Sequence, residues 1–128
     1  MSEALVRSAT DVELERWSDP VRGEMGFRPI FGERSTETDF TAGVTELEVG
    51  GWMGHHRHEP AEIYYVVSGE GKLTIDGEEH AVSAGIAAHI PGNSEHAIHN
   101  TGDAPLRFFW AFAVPSLDQI EYRFTAEE

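Results

Sequence analysis

Residues 50–69 read GGWMGHHRHEPAEIYYVVSG, with His56 and His58 two positions apart and Glu62 four positions further on. Successive side chains on a strand point to opposite faces, so the two histidines share one face. Pro60 cannot donate to a strand ladder, so we expect the chain to bend there and Glu62 to open the next strand. Imidazole and carboxylate groups suit divalent transition metals and leave coordination positions open for a substrate. The stretch therefore predicts a metal site carried by short strands.

A second stretch, residues 85–100, reads GIAAHIPGNSEHAIHN and supplies a further histidine, His96, after a Pro-Gly-Asn turn. The two stretches together offer three imidazole nitrogens and one carboxylate. Such a set predicts one divalent metal ion, and the residue types do not choose among Fe, Mn, Ni, Zn and Co. The other histidines are not predicted ligands: His80 and His99 are expected in turns or on the outside, His55 is out of phase with the ligands, and the phase of His89 is unresolved.

Short apolar stretches rich in β-branched and aromatic residues follow one another from Phe27 onward, separated by glycines and polar turns. This spacing is typical of an all-β sandwich or barrel. Asp76-Gly77 predicts a tight hairpin, because this pair tolerates positive φ angles. The predicted strands fall within residues 43–49, 63–67, 72–75, 86–90 and 106–114.

The N-terminal segment, residues 1–22, has a different pattern. Thr10-Asp11-Val12-Glu13 resembles a helix capping box, and Pro20 ends the pattern that follows it. We therefore predict a short amphipathic helix here, with Leu14 and Trp17 packing on the barrel.

The chain has 128 residues, no cysteine, and a formal net charge of −14 from 9 basic and 23 acidic residues. The length fits one domain, and the absence of cysteine excludes disulfides and zinc–thiolate sites. An acidic surface repels phosphate backbones and anionic lipids, so we expect no nucleic acid and no membrane as partner. No signal-peptide pattern or membrane-spanning stretch is present, which predicts a cytoplasmic location.

The two histidine stretches resemble the paired sequence motifs of the cupins. The matching positions are Gly50, His56, His58, Glu62 and Gly69 in the first motif, and Gly85, Pro91, His96 and Asn100 in the second, with Asn93 where a glycine is usual. The resemblance implies a cupin β-barrel, also called a double-stranded β-helix or jelly roll, over residues 23–128 with its motif core at 50–100. Cupins commonly pair their sheets, so we expect a homodimer in which Phe27–Phe31 is the exchanged strand.

Tyr64 shares the strand face of Glu62 and is the most informative residue that is not a predicted ligand. A phenol ordinarily has a pKa of about 10, and a nearby divalent cation favours its ionised form. Tyr64 could then remove the proton next to the carboxylate of a small acid. The alternative is that Tyr64 only packs in the barrel or forms a hydrogen bond with a ligand.

A closer resemblance links three segments to the small cupin-type dimethylsulfoniopropionate lyases: residues 58–64, 92–97 and 109–122. The resemblance implies that a metal is bound by His56, His58, Glu62 and His96. It further implies that Tyr64 acts as the base and that Tyr122 lies near the substrate. The implied reaction is a β-elimination, in which C–H cleavage next to the carboxylate releases dimethyl sulfide and leaves acrylate.

Aromatic side chains suit such a substrate, because a sulfonium is a soft cation that is attracted to ring faces. The candidates are Trp52, Trp110 and Phe112, with barrel core as the alternative role of the last two. Two other classes of function remain open. One is another metal-dependent cupin enzyme, a dioxygenase or an isomerase, and the other is a non-catalytic cupin that binds or senses a small carboxylate.

Overall fold

The computed structural model describes residues 4–33 and 38–128. Its strands are β1 Glu15–Asp19, β2 Gly23–Phe31, β3 Thr41–Leu47, β4 Trp52–Arg57, β5 Glu62–Ser68, β6 Glu70–Ile75, β7 Glu78–Ser83, β8 Ala87–Ile90, β9 His96–Asn100, β10 Leu106–Phe112 and β11 Arg123–Phe124. Single 3-10 turns lie at Ala9–Asp11, Leu117–Gln119 and Thr125–Glu127. No helix in the described ranges is long and apolar enough to cross a membrane.

All strand pairs are antiparallel, and the sheet runs in the order β7-β6-β9-β4-β2-β3-β10-β5-β8, with β1 beside β2 and β11 beside β4. The sheet curls, and its inner face encloses the core. On β10 the inward positions are Leu106, Phe108, Trp110 and Phe112, all at most 5% exposed. The all-β barrel predicted from the sequence is confirmed.

The predicted N-terminal helix is wrong. Only a 3-10 turn forms at Ala9–Asp11, and the residues that follow make strand β1, in which Trp17 is the partner of Met25 on β2. Leu14 and Trp17 do pack on the barrel, and Leu14 lies so close to Gly26 that an added Cβ there would be 2.9 Å from Leu14 Cδ1. Leu14 and Trp17 are three residues apart, a spacing that fits one helical turn. The edge of β2 offers backbone hydrogen bonds to the same segment, and this tertiary pairing overrides the local pattern.

Strand β5 alternates as predicted. Glu62, Tyr64 and Val66 are buried, whereas Ile63 and Tyr65 are each 48% exposed. The Asp76-Gly77 hairpin is also confirmed, with φ angles of 48° and 83° at the two turn residues. The segment Phe27–Phe31 pairs with β3 of the same chain, and the homodimer stays a prediction.

Candidate metal centre

Three strands bring the four predicted ligands to one end of the barrel. His56 on β4 faces His96 on β9 as a direct cross-strand partner, with ring centroids 4.1 Å apart. His58 follows the last residue of β4, and Glu62 is the first residue of β5. All four side chains are buried, with exposures of at most 6%.

The ligand atoms converge. One ring nitrogen from each of the three histidines lies within 4.8 Å of the others, so these side chains are positioned to bind a metal ion. Glu62 Oε1 is 3.3 Å from His58 Nε2 and 3.4 Å from His96 Nε2. The carboxylate therefore lies beside the imidazoles, as the spacing of the sequence predicted.

Backbone carbonyls fix the orientation of all three rings. The Nδ1 atoms of His56, His58 and His96 donate to the carbonyl oxygens of Gly54, Pro60 and Ser94 at 2.7, 2.8 and 2.9 Å. A carbonyl only accepts, so each ring carries its proton on Nδ1 and turns the lone pair of Nε2 inward. This is the arrangement that a divalent metal requires of a histidine ligand.

The three inward Nε2 atoms are buried and have no hydrogen-bond partner within residues 4–33 and 38–128. Buried polar atoms in folded proteins are nearly always paired, and three orphaned nitrogens that share one point fit a bound cation. Burial, together with the nearby His96, holds the pKa of His56 well below its usual value. The neutral ring is the form that binds a metal.

A bulge in β4 explains where Trp52 lies. Between Met53 and His56 the strand contains one residue more than its partner β9, so the inward phase shifts. The bulge is held by Gly54, whose N–H donates to Arg22 O at 2.9 Å, and a Cβ at Gly54 would approach Val21 O to 2.2 Å. Trp52 consequently lines a groove on the outside of the barrel and is not part of the wall of the inner cavity, and its role in substrate binding stays a prediction.

A cavity of about 90 Å³ lies beside Glu62 and extends along the barrel interior. Its wall is formed by Trp17, Met25, Phe27, Thr45, Met53, Glu62, Tyr64, Phe108, Trp110, Leu117 and Tyr122. The cavity is small, so the space suits a small molecule.

Tyr64 and Tyr122 reach the cavity from different parts of the chain. The Tyr64 ring lies 4.4 Å from Phe108 and 6.3 Å from His96. Tyr122, near the C-terminal end, lies 5.7 Å from His56 and 5.4 Å from His58. Burial, and next the Glu62 carboxylate, raises the pKa of both phenols above the usual value.

Of the other predicted aromatic residues, Trp110 lines the cavity, whereas Phe112 packs against the His58 ring at 5.0 Å. Trp110 lies across Gly43 on the neighbouring strand, where an added Cβ would be 2.6 Å from Trp110 Cζ2. A glycine is therefore required beside this ring.

Several wall residues were missed from the sequence, chiefly Trp17, Phe27 and Thr45. Trp17 was assigned to a helix, and Thr45 lies on β3 between Phe27 and Phe108 as their cross-strand partner. The alternation of inward side chains on β10 would have predicted that Thr45 also faces inward, but only once the register between β3 and β10 was known.

The sequence matches the family model described as Cupin domain over residues 43–112. This segment is more than half of the chain and contains the three strands, β4, β5 and β9, that carry the candidate metal centre. The chain belongs to the cupin family.

Among curated proteins, this cupin is 40% identical over 119 residues to dimethylsulfoniopropionate lyase DddW of Ruegeria pomeroyi, covering 92% of this chain and 78% of that protein. Among solved structures, a predicted oxalate decarboxylase from Thermotoga maritima matches with a TM-score of 0.76 at 25% identity, covering 84% of this chain and 97% of that chain. The polyketide cyclase RemF from Streptomyces resistomycificus matches with a TM-score of 0.78 at 22% identity, covering 96% and 86%. The last likeness concerns the fold alone.

Proposed function

We propose that this cupin is a divalent-metal-dependent dimethylsulfoniopropionate lyase. The observation that carries the proposal is that Glu62, Tyr64 and Tyr122 border one small cavity, beside three histidines whose Nε2 atoms point to a common centre. The 40% identity to the lyase DddW over most of both chains supports the same reading.

The residues that would hold the metal are His56, His58, Glu62 and His96. When bound, a divalent cation would polarise a substrate carboxylate and favour the ionised form of a nearby phenol. Without a cation, the surroundings of Tyr64 act in the opposite direction, because burial and the Glu62 carboxylate raise the pKa of its phenol. We infer that Tyr64 is a base only in the metal-loaded protein.

Tyr64 would take the proton from the carbon next to the substrate carboxylate. The electron pair of that C–H bond forms the double bond of acrylate, and the C–S bond breaks so that its electrons leave with dimethyl sulfide. The Tyr122 ring lies beside the rings of His56 and His58, and its hydroxyl would hydrogen-bond the substrate carboxylate.

A second candidate is a reaction of a small dicarboxylate, which the resemblance to a predicted oxalate decarboxylase favours. The cavity supports it less well, because in the described part of the chain its wall contains one carboxylate and neither lysine nor arginine. A second negative charge on the substrate would thus lack a partner, and burying an unpaired charge is costly.

The test is headspace detection of dimethyl sulfide from protein that is stripped and reloaded separately with Mn, Fe, Ni or Zn. We expect metal-dependent release that collapses in Tyr64→Phe. The matched control is Tyr65→Phe, the next residue on the same strand, whose ring lies on the outer face at 48% exposure. No release with any metal from folded, loaded protein would overturn the assignment, and oxygen uptake and oxalate turnover would then separate the other cupin activities.

A further inference from the structure

The candidate metal centre is closed to solvent. Its four side chains, His56, His58, Glu62 and His96, are buried, and none of the three histidines lines the cavity beside Glu62. A divalent ion that is bound by these groups has to pass through the wall around them. Some part of that wall must therefore move, and its parts are held with very different strength.

Two of the aromatic rings next to the histidines are fixed. Phe112 lies 5.0 Å from His58, and Tyr64 lies 6.3 Å from His96. Both rings are carried by strands that are paired on two edges, since β10 lies between β3 and β5, and β5 lies between β10 and β8. Moving either ring outward would break backbone hydrogen bonds along both edges, and such strands are among the last parts of a fold to open.

The other two neighbouring rings belong to the C-terminal segment. Tyr122 lies 5.4 Å from His58, and Phe124 lies 5.3 Å from His56. Tyr122 is partly exposed although it contacts buried histidines, so its ring stands between them and solvent. We call residues 117–124, which carry these two rings, the C-terminal strap.

Few backbone bonds hold the strap. At its start, Leu117 N donates to Gly32 O at 2.8 Å. Residues 118–122 form no strand, and in the described part of the chain their backbone hydrogen bonds stay within the turn at residues 116–120. The strap then ends in the two-residue strand β11, which pairs with β4. Ile120 packs in the core and keeps the strap closed at rest.

Strand β1 also contributes to the outer wall, but it covers the histidines less directly. Trp17 lies 5.6 Å from Tyr122 and 5.8 Å from Phe124, and among the described residues its ring contacts no histidine ring. All five residues of β1 are paired with β2. Lifting the strap would uncover the histidines while β1 stays in place.

We propose that the C-terminal strap is the gate of the metal centre. It opens about Leu117 and releases or admits the metal ion, and it closes with Tyr122 and Phe124 over the histidines. A gate changes the rates of entry and release in the same proportion, because the ion crosses the same barrier in both directions, and it leaves the affinity unchanged. The inference goes beyond the proposed function, since it does not depend on which reaction the centre performs.

A disulfide staple tests the gate, because the chain has no cysteine of its own. Arg57 on β4 and Arg123 on β11 are direct cross-strand partners. The Cα atoms of such partners lie about 4.5–5.5 Å apart, within the span of a disulfide. Arg57 alternates with the two histidines on either side of it, so its side chain points away from the centre. In Arg57→Cys/Arg123→Cys, oxidation fixes β11 to β4 and reduction frees it, so the reduced protein is the reference for the oxidised one.

The readout is the release of Mn²⁺ from loaded protein into excess chelator, which does not depend on turnover. Mn²⁺ is chosen because thiolates favour other metals. We expect the oxidised variant to lose the ion at least about 10-fold more slowly than the reduced variant, with unchanged equilibrium affinity. A tenfold change corresponds to about 1.4 kcal/mol, which is less than a disulfide usually contributes.

The matched control is Ser18→Cys/Glu24→Cys, which staples β1 to β2 through another pair of cross-strand partners. Its oxidised and reduced forms should release Mn²⁺ at the same rate. Equal rates for the two forms of Arg57→Cys/Arg123→Cys would overturn the inference. Slowing of equal size by the control staple would also overturn it, because β1 would then have to open as well.

A second measurement applies if the cysteine pair does not oxidise or the variant does not fold. In the unmodified, loaded protein, the amides of residues 122–124 should have protection factors at least about 10-fold lower than those of β9. Equal protection would overturn the inference. All of these outcomes are separate from the lyase test, since no readout involves dimethyl sulfide.

Discussion

The two halves of the candidate site are attached to the molecule in different ways. The strand-borne half comprises His56, His58, Glu62, Tyr64 and His96 on or next to β4, β5 and β9. The terminal half comprises Trp17 on β1 and Leu117 and Tyr122 on the C-terminal segment. Strands in the middle of a sheet are paired on both edges, whereas β1 and β11 each pair along one edge among the described residues, so we expect them to open more easily.

The C-terminal segment illustrates the difference. It is tied to β4 by the two-residue strand β11, in which Phe124 is the partner of His56, and to the rest of the barrel by Thr125 Oγ1, which donates to Glu95 Oε2 at 2.5 Å. We infer that rigid strands fix the groups that need accurate geometry, and that the terminal half sets the shape and polarity of the cavity.

The largest expected effect comes from removing a ligand of the strand-borne half. His96→Ala should lower metal affinity by more than the 10- to 100-fold that loss of an outer partner typically costs, and activity should be lost with the metal. Metal content after dialysis measures this directly. The control is His99→Ala on the same strand, whose exposed side chain is no ligand in our assignment. Full metal content in His96→Ala would exclude this histidine from the centre.

Each half contributes one tyrosine to the cavity, so substituting each in turn compares the two halves directly. Tyr64→Phe should lower kcat by about 10²- to 10⁴-fold, the usual cost of losing a positioned base. Tyr122→Phe should lower kcat/KM by only about 10- to 100-fold, the range for one hydrogen bond to a charged group. Metal content should be unchanged in both. A larger kcat loss for Tyr122→Phe would assign the base to the terminal half and reverse the comparison.

The same division separates what the sequence could predict from what it could not. The barrel and the convergence of the three histidines were predictable because a strand alternates its side chains and the histidine spacing is local to two short stretches. The direction of the Trp52 side chain could not be predicted, because it depends on a bulge held by Gly54 and Arg22, which are 32 residues apart in sequence. The prediction that Trp17 lies on a helix was wrong because the apolar spacing at Leu14 and Trp17 fits a helix and a strand equally well. Pairing with β2 decided between them.

Alkaline pH should destabilise the metal-free protein through both tyrosines. The pKa of each phenol is raised in the folded chain, so above about pH 10 the unfolded chain loses these protons first. The unfolded state then binds fewer protons than the native state, and the free energy of unfolding falls by about 1 kcal/mol per pH unit for each tyrosine. Denaturant unfolding at pH 8 and at several values above 10 measures the slope.

Tyr64→Phe and Tyr122→Phe should each remove about half of this tyrosine-dependent slope. A reduction in Tyr64→Phe alone would mean that the terminal half already opens at alkaline pH, so that Tyr122 meets solvent before the barrel unfolds. An unchanged slope in both variants would contradict the burial of the two phenols.

The smallest expected effect concerns the tie between Thr125 and Glu95. Thr125→Val removes the hydroxyl donor and keeps the shape of the side chain, and a hydrogen bond to a partly exposed carboxylate contributes about 1 kcal/mol at most. Amide hydrogen exchange at residues 122–124 should therefore quicken by about 5-fold at most, while the amides of β5 and β9 keep their rates. Metal affinity should not change, because no ligand moves with this segment. Faster exchange throughout the barrel would show that the terminal half and the strand-borne half open as one unit. The inference that the strand-borne half is more rigid would then be wrong.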